Sequence, residues 1–375
     1  LTSFPPSSTM HLSPALSQSY TRDTLTAREA QRQAECIAWA PVAFQVARLL
    51  KKWQILALLN DSSHGLTLED LQQSTDRSHY ALTILTDAGL SLGLLLVDPT
   101  TDRFSLSKTG WFLLTDPATA VNLDFNHDVN YQGMFHLEEA LTTGKPAGLK
   151  TLGDWSTIYE GLSQLPPDAL KSWLAFDHFY SDCSFDAALP IVFSQPVRHL
   201  LDIGGNTGRF ALRCVDQDAN VRVTIADLPG QISMMRSNIA GASGEERIDA
   251  FPIDWLRLDN TLPTDWTNLD VVWMSQFLDC FSEPEILSIL QRTAQAMQPH
   301  TRLFILETLW DRQRFEPAAF CLTMTSVYFT AMANGNSKMY HSDRLFALIE
   351  QAGLSIASVH DHLGQGHSLI EVLKA

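Results

Sequence analysis

The chain has 375 residues, of which 45% are hydrophobic and 18% are charged, and its formal net charge at pH 7 is −16. This length is enough for two or three domains with large cores, and the composition is that of an ordinary globular protein. The negative charge argues against nucleic acid and anionic membranes as partners, because both would need a basic surface, and it is compatible with small neutral or cationic ligands.

The cysteines and the apolar runs exclude further classes. The five cysteines are scattered, odd in number and without C-x-x-C spacing, which predicts neither a disulfide framework nor a zinc site. No basic segment followed by an apolar run opens the chain, and no apolar stretch approaches the ~20 residues of a membrane helix. We therefore expect a cytoplasmic protein with no membrane partner.

The beginning of the chain divides into a tail and a helical segment. Residues 1–20 are rich in Ser, Pro and Thr, which predicts a flexible tail. Apolar residues then recur at helical intervals from Thr24 to Leu59, and Pro41 interrupts them, so we expect two helices. The apolar stretch from Gln45 to Leu59 favours burial against a second subunit, with a private domain core as the alternative.

The next segment has the pattern of a winged helix. Thr67 and Ser78 are suitable N-caps for two short helices, and residues 92–97 and 103–106 read as a two-stranded wing. Winged helices commonly bind DNA, but the second helix, from Ser78 to Asp87, contains one acid and no Lys or Arg that could contact bases or phosphates. A DNA-binding regulator is therefore the less favoured alternative to an enzyme.

A helical region with interleaved aromatic and polar residues follows at 119–190. Such a mixture is typical of pockets for small aromatic ligands, although core packing is the simpler explanation of any single residue. No histidine pair has the i,i+4 spacing with an acid that helical metal sites use, so no metal is predicted. The residues assigned to the substrate pocket, here and further along the chain, are Tyr131, His136, Asp177, His178, Met324 and Tyr328.

Strands and helices alternate from His199 onward. This alternation predicts an α/β fold with a doubly wound, largely parallel sheet whose ligand lies at the carboxyl ends of the strands. Helices are expected between the strands, including 283–297 and 343–352. The predicted strands are 199–203, 221–226, 250–253, 270–274, 302–306 and 368–373.

The first of these strands ends in a glycine-rich turn, from Asp202 to Gly208, that continues into a helix. Glycine is needed where the backbone has positive φ or approaches a ligand closely. On its own, the turn is compatible with binding a dinucleotide, with binding S-adenosylmethionine, or with no ligand at all.

Two further strand ends narrow this choice. Asp227 ends the second strand, where a carboxylate can accept hydrogen bonds from both ribose hydroxyls. Asp254 and Trp255 follow the third strand and offer an acceptor for an exocyclic amine beside a flat apolar surface. Because the turn is neither G-x-G-x-x-G nor followed by Lys-Ser or Lys-Thr, S-adenosylmethionine is favoured over a dinucleotide or a triphosphate.

These segments resemble those of the small-molecule O-methyltransferases that use S-adenosylmethionine, a family of plant phenolic and bacterial polyketide enzymes, over about residues 25–375. Residues 202–208 look like the family's D-V-G-G-G-x-G with Asn at the third glycine, and residues 226–229 look like its ribose-binding D-L-P. Residues 176–184 are similar to the family helix that touches the methionine part of the cofactor.

The resemblance implies a class I methyltransferase fold, in which a Rossmann-like doubly wound sheet is preceded by a mostly helical winged-helix dimerisation domain, and it implies a homodimer and a small-molecule acceptor. The implied segments are the flexible tail (1–20), the dimerisation domain (21–118), a helical substrate-pocket region (119–190) and the catalytic domain (191–375). The implied cofactor contacts are Tyr180, Ser184, Asp202, Gly204, Gly205, Asp227, Leu228, Asp254, Trp255 and Ser275.

The catalytic segment of the family differs here. Its L-K-W-I-L-H-D-W-S-D aligns without gaps onto residues 274–283, which places Asp279 at the position of the family's histidine base and Ser275 at that of its cofactor-proximal lysine. Of the two glutamates that orient the histidine, the first matches Glu307 and the second falls on Met339. Binding of the methyl donor is therefore better supported than the identity of the acceptor.

Three roles for Asp279 are compatible with this exchange. It is the base for a hydroxyl acceptor, oriented by Glu307, provided that burial raises its pKa from about 3.9 toward that of a phenol, about 10. Alternatively, it binds the acceptor while a phenolic ring carbon takes the methyl group, or the cofactor acts electrostatically and nothing is transferred. The first role is favoured and predicts O-methylation of a small aromatic acceptor. A structural acid at the start of the 283–297 helix is the alternative to all three.

Overall fold

The computed structural model describes residues 10–375, which divide into two compact units. The smaller unit consists of residues 23–127, and the larger unit combines residues 10–22 with residues 128–375. Within the described part of the chain, no helix has the length and hydrophobicity that a membrane span requires.

The N-terminal segment belongs to the larger unit. Residues 1–9 of the predicted tail lie outside the described residues, whereas Pro14–Thr21 form helix α1. Leu16 is fully buried, and the Ser13 N–H donates to the carbonyl oxygen of Asp311 at 3.0 Å. Of the described residues 10–22 only Leu16 is buried, so the Ser, Pro and Thr around it dominate the pattern that predicted a loose tail.

The smaller unit is mostly helical and carries the predicted wing. The hydroxyl oxygens of Thr67 and Ser78 accept hydrogen bonds from the N–H groups of Asp70 and Ala81, both at 3.2 Å, which confirms the two predicted N-caps. The two strands of the wing pair antiparallel. The elements are α2 (Ala27–Ala38), α3 (Ala40–Lys52), α4 (Ile55–Asp61), α5 (Leu68–Thr75), α6 (His79–Ser91), β1 (Leu95–Asp98), β2 (Arg103–Leu106), α7 (Lys108–Thr115) and α8 (Pro117–Phe125).

The segment that was predicted as two helices forms three, α2 to α4. Pro41 lies in the first turn of α3, where its missing N–H costs nothing, and Gln54, which has a left-handed backbone with φ 61°, separates α3 from α4. The apolar side chains between Gln45 and Leu59 pack into the unit's own core with those of α5, α6 and the wing. This packing supports a private core for the stretch, and burial of the helices between Thr24 and Leu59 against a second subunit stays a prediction.

The larger unit contains the sheet and most of the remaining helices. Its elements after α1 are α9 (Leu137–Thr143), α10 (Ile158–Gly161), α11 (Pro167–Asp182), α12 (Phe185–Val192), β3 (His199–Ile203), α13 (Arg209–Gln217), β4 (Arg222–Asp227), α14 (Pro229–Ile239), β5 (Ile248–Pro252), β6 (Val271–Ser275), α15 (Glu283–Ala296), β7 (Arg302–Glu307), α16 (Glu316–Tyr328), α17 (Ser342–Gln351), β8 (Leu354–Leu363) and β9 (His367–Lys374).

The seven strands form one sheet in the order β5-β4-β3-β6-β7-β9-β8. The pairs from β5 to β7 are parallel, and β9 runs antiparallel to both of its neighbours. Alternate residues of β3 enter two different cores, Leu201 and Ile203 one and Leu200 the other, because helices cover both faces of the sheet. The predicted doubly wound α/β fold is confirmed.

The sequence did not indicate strand β8. This strand lies at the edge of the sheet, pairs only with β9 and is mostly half-buried or exposed. Register shifts between Ile356 and Ser358 and between His360 and Leu363 displace its side chains from one face to the other. The alternation of apolar and polar residues that marks a strand is therefore interrupted twice.

Candidate active site

A cleft lies at the carboxyl ends of β3, β4, β5 and β6 in the larger unit. In the sheet, β4 pairs with one edge of β3 and β6 pairs with its other edge, so the strand order reverses at β3. The turns that follow β3 and β6 thus diverge and leave a crevice, as in other doubly wound sheets. Helices α11 and α16 supply its remaining walls.

The glycine turn after β3 leaves no room for side chains at two positions. Gly204 has φ 74°, and a Cβ there would lie 2.4 Å from Cδ2 of Phe277. A Cβ at Gly205 would lie 2.8 Å from Oδ2 of Asp202. Both glycines line the cleft, so the turn presents its backbone directly to a ligand. Burial, followed by the charge of Asp227, raises the pKa of Asp202 to about 8.

Asp227 at the end of β4 is held by two backbone N–H groups. Its Oδ2 accepts a hydrogen bond from Asn206 at 2.9 Å, and its Oδ1 accepts one from Leu228 at 2.7 Å. Burial raises the pKa of this carboxyl to about 6, and the two hydrogen bonds oppose the shift. Each oxygen keeps a lone pair, so the carboxylate can bind two neighbouring hydroxyls of a ligand.

The loop after β5 forms an aromatic wall of the cleft. Arg292 of α15 holds this loop, because its Nη2 donates to the carbonyl oxygen of Trp255 at 2.6 Å and its Nη1 to that of Asn260 at 2.7 Å. The Trp255 ring lies 6.2 Å from the ring of Phe277, and Asp254 also lines the cleft. This wall suits a flat apolar ring that carries a hydrogen-bond donor.

Two buried carboxyl groups, Asp279 and Glu307, follow β6 and end β7. Asp279 lies in the short 3₁₀ turn Leu278–Cys280, lines the cleft and is 3% exposed. Glu307 is also 3% exposed, and its Oε1 accepts hydrogen bonds from the backbone N–H groups of Phe277 at 3.1 Å and Leu278 at 2.8 Å. Burial raises the pKa of Asp279 to about 7. Burial and the charge of Asp279 raise the pKa of Glu307 well above its ordinary value.

The thiol of Cys280 lies against Asp279. Its Sγ donates to Oδ1 of Asp279 at 3.5 Å, and Tyr159 lines the same cleft. Burial raises the pKa of Cys280 and that of Tyr159 well above their ordinary values, so both groups are neutral near pH 7. Of these three groups, Asp279 is the one that gains and loses a proton near neutral pH.

Aromatic rings line the part of the cleft that α11 and α16 supply. The indole Nε1 of Trp173 donates to the hydroxyl oxygen of Tyr328 at 2.8 Å and so joins the two helices. Arg209 is the one Lys or Arg among the described residues that line the cleft, and it forms an ion pair with Asp182. A planar acceptor that is neutral or cationic suits these walls. The rings are Trp173, Phe176, Phe281, Tyr328 and Phe329.

Most of the predicted site residues lie together in this cleft. Glu307 does not line it but lies behind Asp279, and both residues border a second, small void. The residues that line the cleft as predicted are Asp177, His178, Asp202, Gly204, Gly205, Asp227, Leu228, Asp254, Trp255, Ser275, Asp279 and Tyr328.

Two predicted cofactor contacts on or near α11 lie off the cleft. The Tyr180 ring packs on that of Phe176, with 4.9 Å between their centroids. Ser184 is fully buried, and its Oγ donates to the carbonyl oxygen of Ser181 at 2.6 Å. The residues of α11 that line the cleft include Asp177 and Ser181 but not Tyr180.

Three residues assigned to the substrate pocket also lie outside the lining. Nδ1 of His136 is 3.5 Å from Oε2 of Glu139, one helical turn away. Met324 is an exposed residue of α16, and Tyr131 is exposed beside the 3₁₀ helix Gly133–His136. The interleaving of aromatic and polar residues that suggested them reports amphipathic helices, and it does not distinguish the cleft from solvent.

Sequence reasoning missed several residues of the cleft. Asn206 was noted as a departure from the family turn, but it was given no role. Cys280 and Phe277 adjoin Asp279, and their places in the aligned catalytic segment could have suggested them. Tyr159 comes from a distant segment and carries no signal in the sequence.

Two family models match the chain. The model of the Dimerisation2-like domain matches residues 31–104, and the model of the O-methyltransferase domain matches residues 180–355. The first range lies in the smaller unit and the second in the larger unit.

Relatives align over most of the chain. It is 26% identical over 325 residues to the aclacinomycin 10-hydroxylase RdmB of Streptomyces purpurascens. The aligned residues make up 85% of this chain and 82% of that protein. It is 22% identical over 313 residues to the L-tyrosine C(3)-methyltransferase of Streptomyces lavendulae, and these residues make up 82% of each of the two chains. The solved structure of the mitomycin 7-O-methyltransferase MmcR has the same fold, with a TM-score of 0.68 at 18% identity over 92% of this chain and 98% of that one.

Proposed function

Since the chain belongs to the family of S-adenosylmethionine-dependent small-molecule O-methyltransferases, we propose that it methylates a hydroxyl group of a small aromatic acceptor and that Asp279 takes the hydroxyl proton. The protein is a methyltransferase, and S-adenosylmethionine is its cofactor. The acceptor atom and the roles of individual residues are the proposal, which rests on the geometry of the cleft.

The residues of the cleft suit this cofactor. Buried polar atoms without hydrogen-bond partners line it, among them Nε1 of Trp255, Oδ1 of Asn206 and Oγ of Ser275, and a polyfunctional ligand would satisfy them. Asp227 would hold the ribose hydroxyls, and Asp254 would accept from the adenine amine beside Trp255. In this proposal α11 contributes residues of its cleft-lining face, rather than Tyr180 and Ser184, which lie off the cleft.

The cofactor supplies a methyl group that is already activated on a sulfonium. The protein's contribution is therefore proximity and orientation, which can lower the barrier by ~7–11 kcal/mol, and removal of the acceptor proton. A solvated aspartate, with a pKa near 3.9, is a poor base for a phenol with a pKa near 10. Burial raises the pKa of Asp279 to about 7, close to the value of a histidine. This single observation, a buried carboxyl of matched basicity on the cleft wall, supports the proposal most strongly.

Glu307 would act on Asp279 rather than on the acceptor. Its Oε1 holds two backbone N–H groups of the segment that leads into Asp279. We assign Glu307 a positioning role because it lies outside the lining of the cleft.

Transfer to a ring carbon is the second candidate. In this version Asp279 again takes the phenolic proton, and the ring carbon beside the oxygen attacks the methyl carbon as the bond from methyl to sulfur breaks. The ring carbon then loses its own proton to solvent, which restores the aromatic ring. The observation that favours it is the similarity to an L-tyrosine C(3)-methyltransferase over 82% of the chain. The two candidates share their residues and differ in the bond that forms.

Labelled cofactor decides between them. The purified protein is incubated with methyl-labelled S-adenosylmethionine and a panel of phenols, and the label is located by mass spectrometry. If the oxygen is methylated, the product is an acid-stable aryl ether that has lost its free hydroxyl group. If the ring carbon is methylated, the product keeps its free hydroxyl group. The proposed function would be contradicted if no acceptor became labelled, or if the protein did not bind S-adenosylhomocysteine.

We also propose that two copies of the chain associate through the smaller unit. The model of a Dimerisation2-like domain matches this unit. Helix α2 has no buried residue, and three apolar side chains at the α2–α3 junction, those of Ile37, Trp39 and Val42, are 68%, 63% and 53% exposed. An exposed apolar cluster of this kind is typical of a subunit interface.

A further inference from the structure

The hydroxyl group of Tyr159 is a hydrogen-bonding group of the cleft that the proposed function does not use. Tyr159 lies in the short helix α10 and lines the cleft. The residue as a whole is half-buried, but its hydroxyl oxygen is buried and forms no hydrogen bond of ordinary geometry with any described residue. A buried hydroxyl without a partner destabilises the protein unless a ligand supplies the partner.

Packing around α10 holds the backbone of Tyr159 in place. The preceding side chain, Ile158, is fully buried, and Nε2 of Gln231 in α14 donates to the carbonyl oxygen of Tyr159 at 3.3 Å. The ring of Trp155 packs so closely on this helix that a Cβ at Gly161 would lie 2.3 Å from its Cδ2. The hydroxyl is therefore carried by a segment that is ordered before any acceptor binds, which reduces the cost of binding.

The hydroxyl of Tyr159 lies close to Asp279, the proposed base. The thiol of Cys280 donates to Oδ1 of Asp279 at 3.5 Å. The same thiol is a neighbour of Tyr159, because after burial Cys280 contributes most to raising the pKa of Tyr159, and Asp279 contributes as well. A thiol sulfur is a weak acceptor, so the Tyr159 proton is available to a ligand. An acceptor that meets Asp279 can therefore also meet a hydrogen-bond donor.

The charges of the cleft restrict what this donor can bind. Arg209, the one Lys or Arg among the described residues of the lining, is paired with Asp182. Burial, followed by the charge of Arg209, lowers the pKa of His178, so this residue of the lining is neutral. A carboxylate on the acceptor would thus lack a counter-ion. A second hydroxyl would bring a proton that needs an acceptor of its own, whereas a carbonyl oxygen only accepts and matches the donor.

We propose that the acceptor is a phenol with a carbonyl group on the neighbouring ring carbon, and that the hydroxyl of Tyr159 donates a hydrogen bond to this carbonyl oxygen. The inference rests on the proposed function. In such a phenol the hydroxyl proton is held in an internal hydrogen bond to the carbonyl. Tyr159 replaces this internal donor and keeps its own proton. The phenolic proton then passes to Asp279, and the phenolic oxygen bonds to the methyl carbon as the bond from methyl to sulfur breaks.

Two isomeric acceptors test the position of the carbonyl group. In 2-hydroxyacetophenone the carbonyl is beside the hydroxyl, and in 4-hydroxyacetophenone it is at the opposite end of the ring. We would measure kcat/KM for both with the full-length protein and with Tyr159→Phe. The unaltered protein should prefer the 2-isomer, and Tyr159→Phe should lower the ratio of the two kcat/KM values about 10-fold, as expected for loss of one buried hydrogen bond. Salicylate, which carries a carboxylate in place of the ketone, should be methylated at least about 10-fold less efficiently than 2-hydroxyacetophenone.

Two controls separate this role from a structural one. Tyr80→Phe removes the same atom from a residue of the smaller unit that is 75% exposed, and it should keep the ratio. Calorimetry should show that Tyr159→Phe binds S-adenosylhomocysteine as tightly as the unaltered protein, and weaker binding would place the hydroxyl at the cofactor and overturn the inference.

The kinetic results can also contradict the inference. An unchanged ratio in Tyr159→Phe, an equal loss for both isomers, or a preference of the unaltered protein for the 4-isomer or for salicylate would overturn it. Methylation of other phenols but not of 2-hydroxyacetophenone would do the same. If the unaltered protein methylated no phenol at all, the proposed function would fail, so the two failures are distinguishable.

Discussion

The carboxyl groups of Asp279 and Glu307 border the same small void, and each residue is only 3% exposed. Only Asp279 also lines the cleft, and Glu307 is bonded to the backbone ahead of it. Two carboxyl groups in such a position cannot both be ionised at low cost, so their protonation is shared unequally. In the proposed function, this pair takes the place of the histidine base and the glutamate that orients it.

The rate of methyl transfer should depend on pH through Asp279. The base must be deprotonated, so kcat should fall about tenfold per pH unit below the pKa of Asp279, about 7, and should level off above it. The measurement is kcat with a phenolic acceptor from pH 5.5 to 8.5. Asp279→Asn should lower kcat by about 10²- to 10⁴-fold and remove this dependence. A flat profile for the unaltered protein would leave Asp279 a structural acid.

Asp279 should also make the fold less stable as the pH rises. Its pKa is raised in the folded state, so between about 3.9 and about 7 the folded protein holds a proton that the unfolded chain has lost. The free energy of unfolding therefore decreases through this range, by roughly 2–4 kcal/mol in total, and stays level above it. Thermal melting should show that Asp279→Asn raises Tm more at pH 8 than at pH 5. The same substitution at the exposed Asp265 should show no such difference.

Gly204 should be intolerant of any side chain. Alanine there would need a left-handed backbone, which costs roughly 1–2 kcal/mol, and its Cβ would overlap Phe277. Gly204→Ala should lower Tm and weaken S-adenosylhomocysteine by at least about tenfold, as measured by calorimetry. Gly230→Ala is the matched control, because a Cβ at Gly230 meets no atom within 4 Å. Equal behaviour of the two variants would contradict a close approach of the cofactor to the turn.

The strand ends were predictable because their signals are local. The five residues of β3 are all buried, and Leu200, Leu201 and Ile203 mark an apolar strand that leads directly into the turn. The carboxyl ends of parallel strands meet at one edge of a sheet. Once the strands were recognised, Asp227 and Asp254 therefore had to lie near the glycine turn.

The side-chain directions on α11 could not be predicted in the same way. Asp177 and Tyr180 lie only about 60° apart around the helix axis, so no sequence pattern shows which of them lines the cleft. Contacts between distant segments, such as that of Trp173 with Tyr328, depend on packing that no local pattern records. The basicity of Asp279 is of the same kind, because it arises from burial by the whole fold.

Arg292 should control cofactor affinity although it does not line the cleft. It donates to the carbonyl oxygens of Trp255 and Asn260, and its guanidinium lies 5.0 Å from the Trp255 ring centroid. Arg292→Met should free this loop and weaken S-adenosylhomocysteine by about tenfold, since the buried carbonyl groups lose their donors. Arg257→Met, in the same loop but with an exposed side chain, should bind like the unaltered protein. Calorimetry on both variants checks this, and unchanged binding in Arg292→Met would contradict it.

Trp39 should be necessary for association of two copies. In an isologous interface a single substitution acts twice, so a charge at this exposed apolar position should cost about 2 kcal/mol or more at each of two sites. Sedimentation velocity should find the unaltered protein as a dimer and Trp39→Asp as a monomer at micromolar concentration. Leu258→Asp changes a side chain of the larger unit that is 75% exposed, and it should remain dimeric. A dimer that survives Trp39→Asp, with Tm unchanged, would place the interface elsewhere.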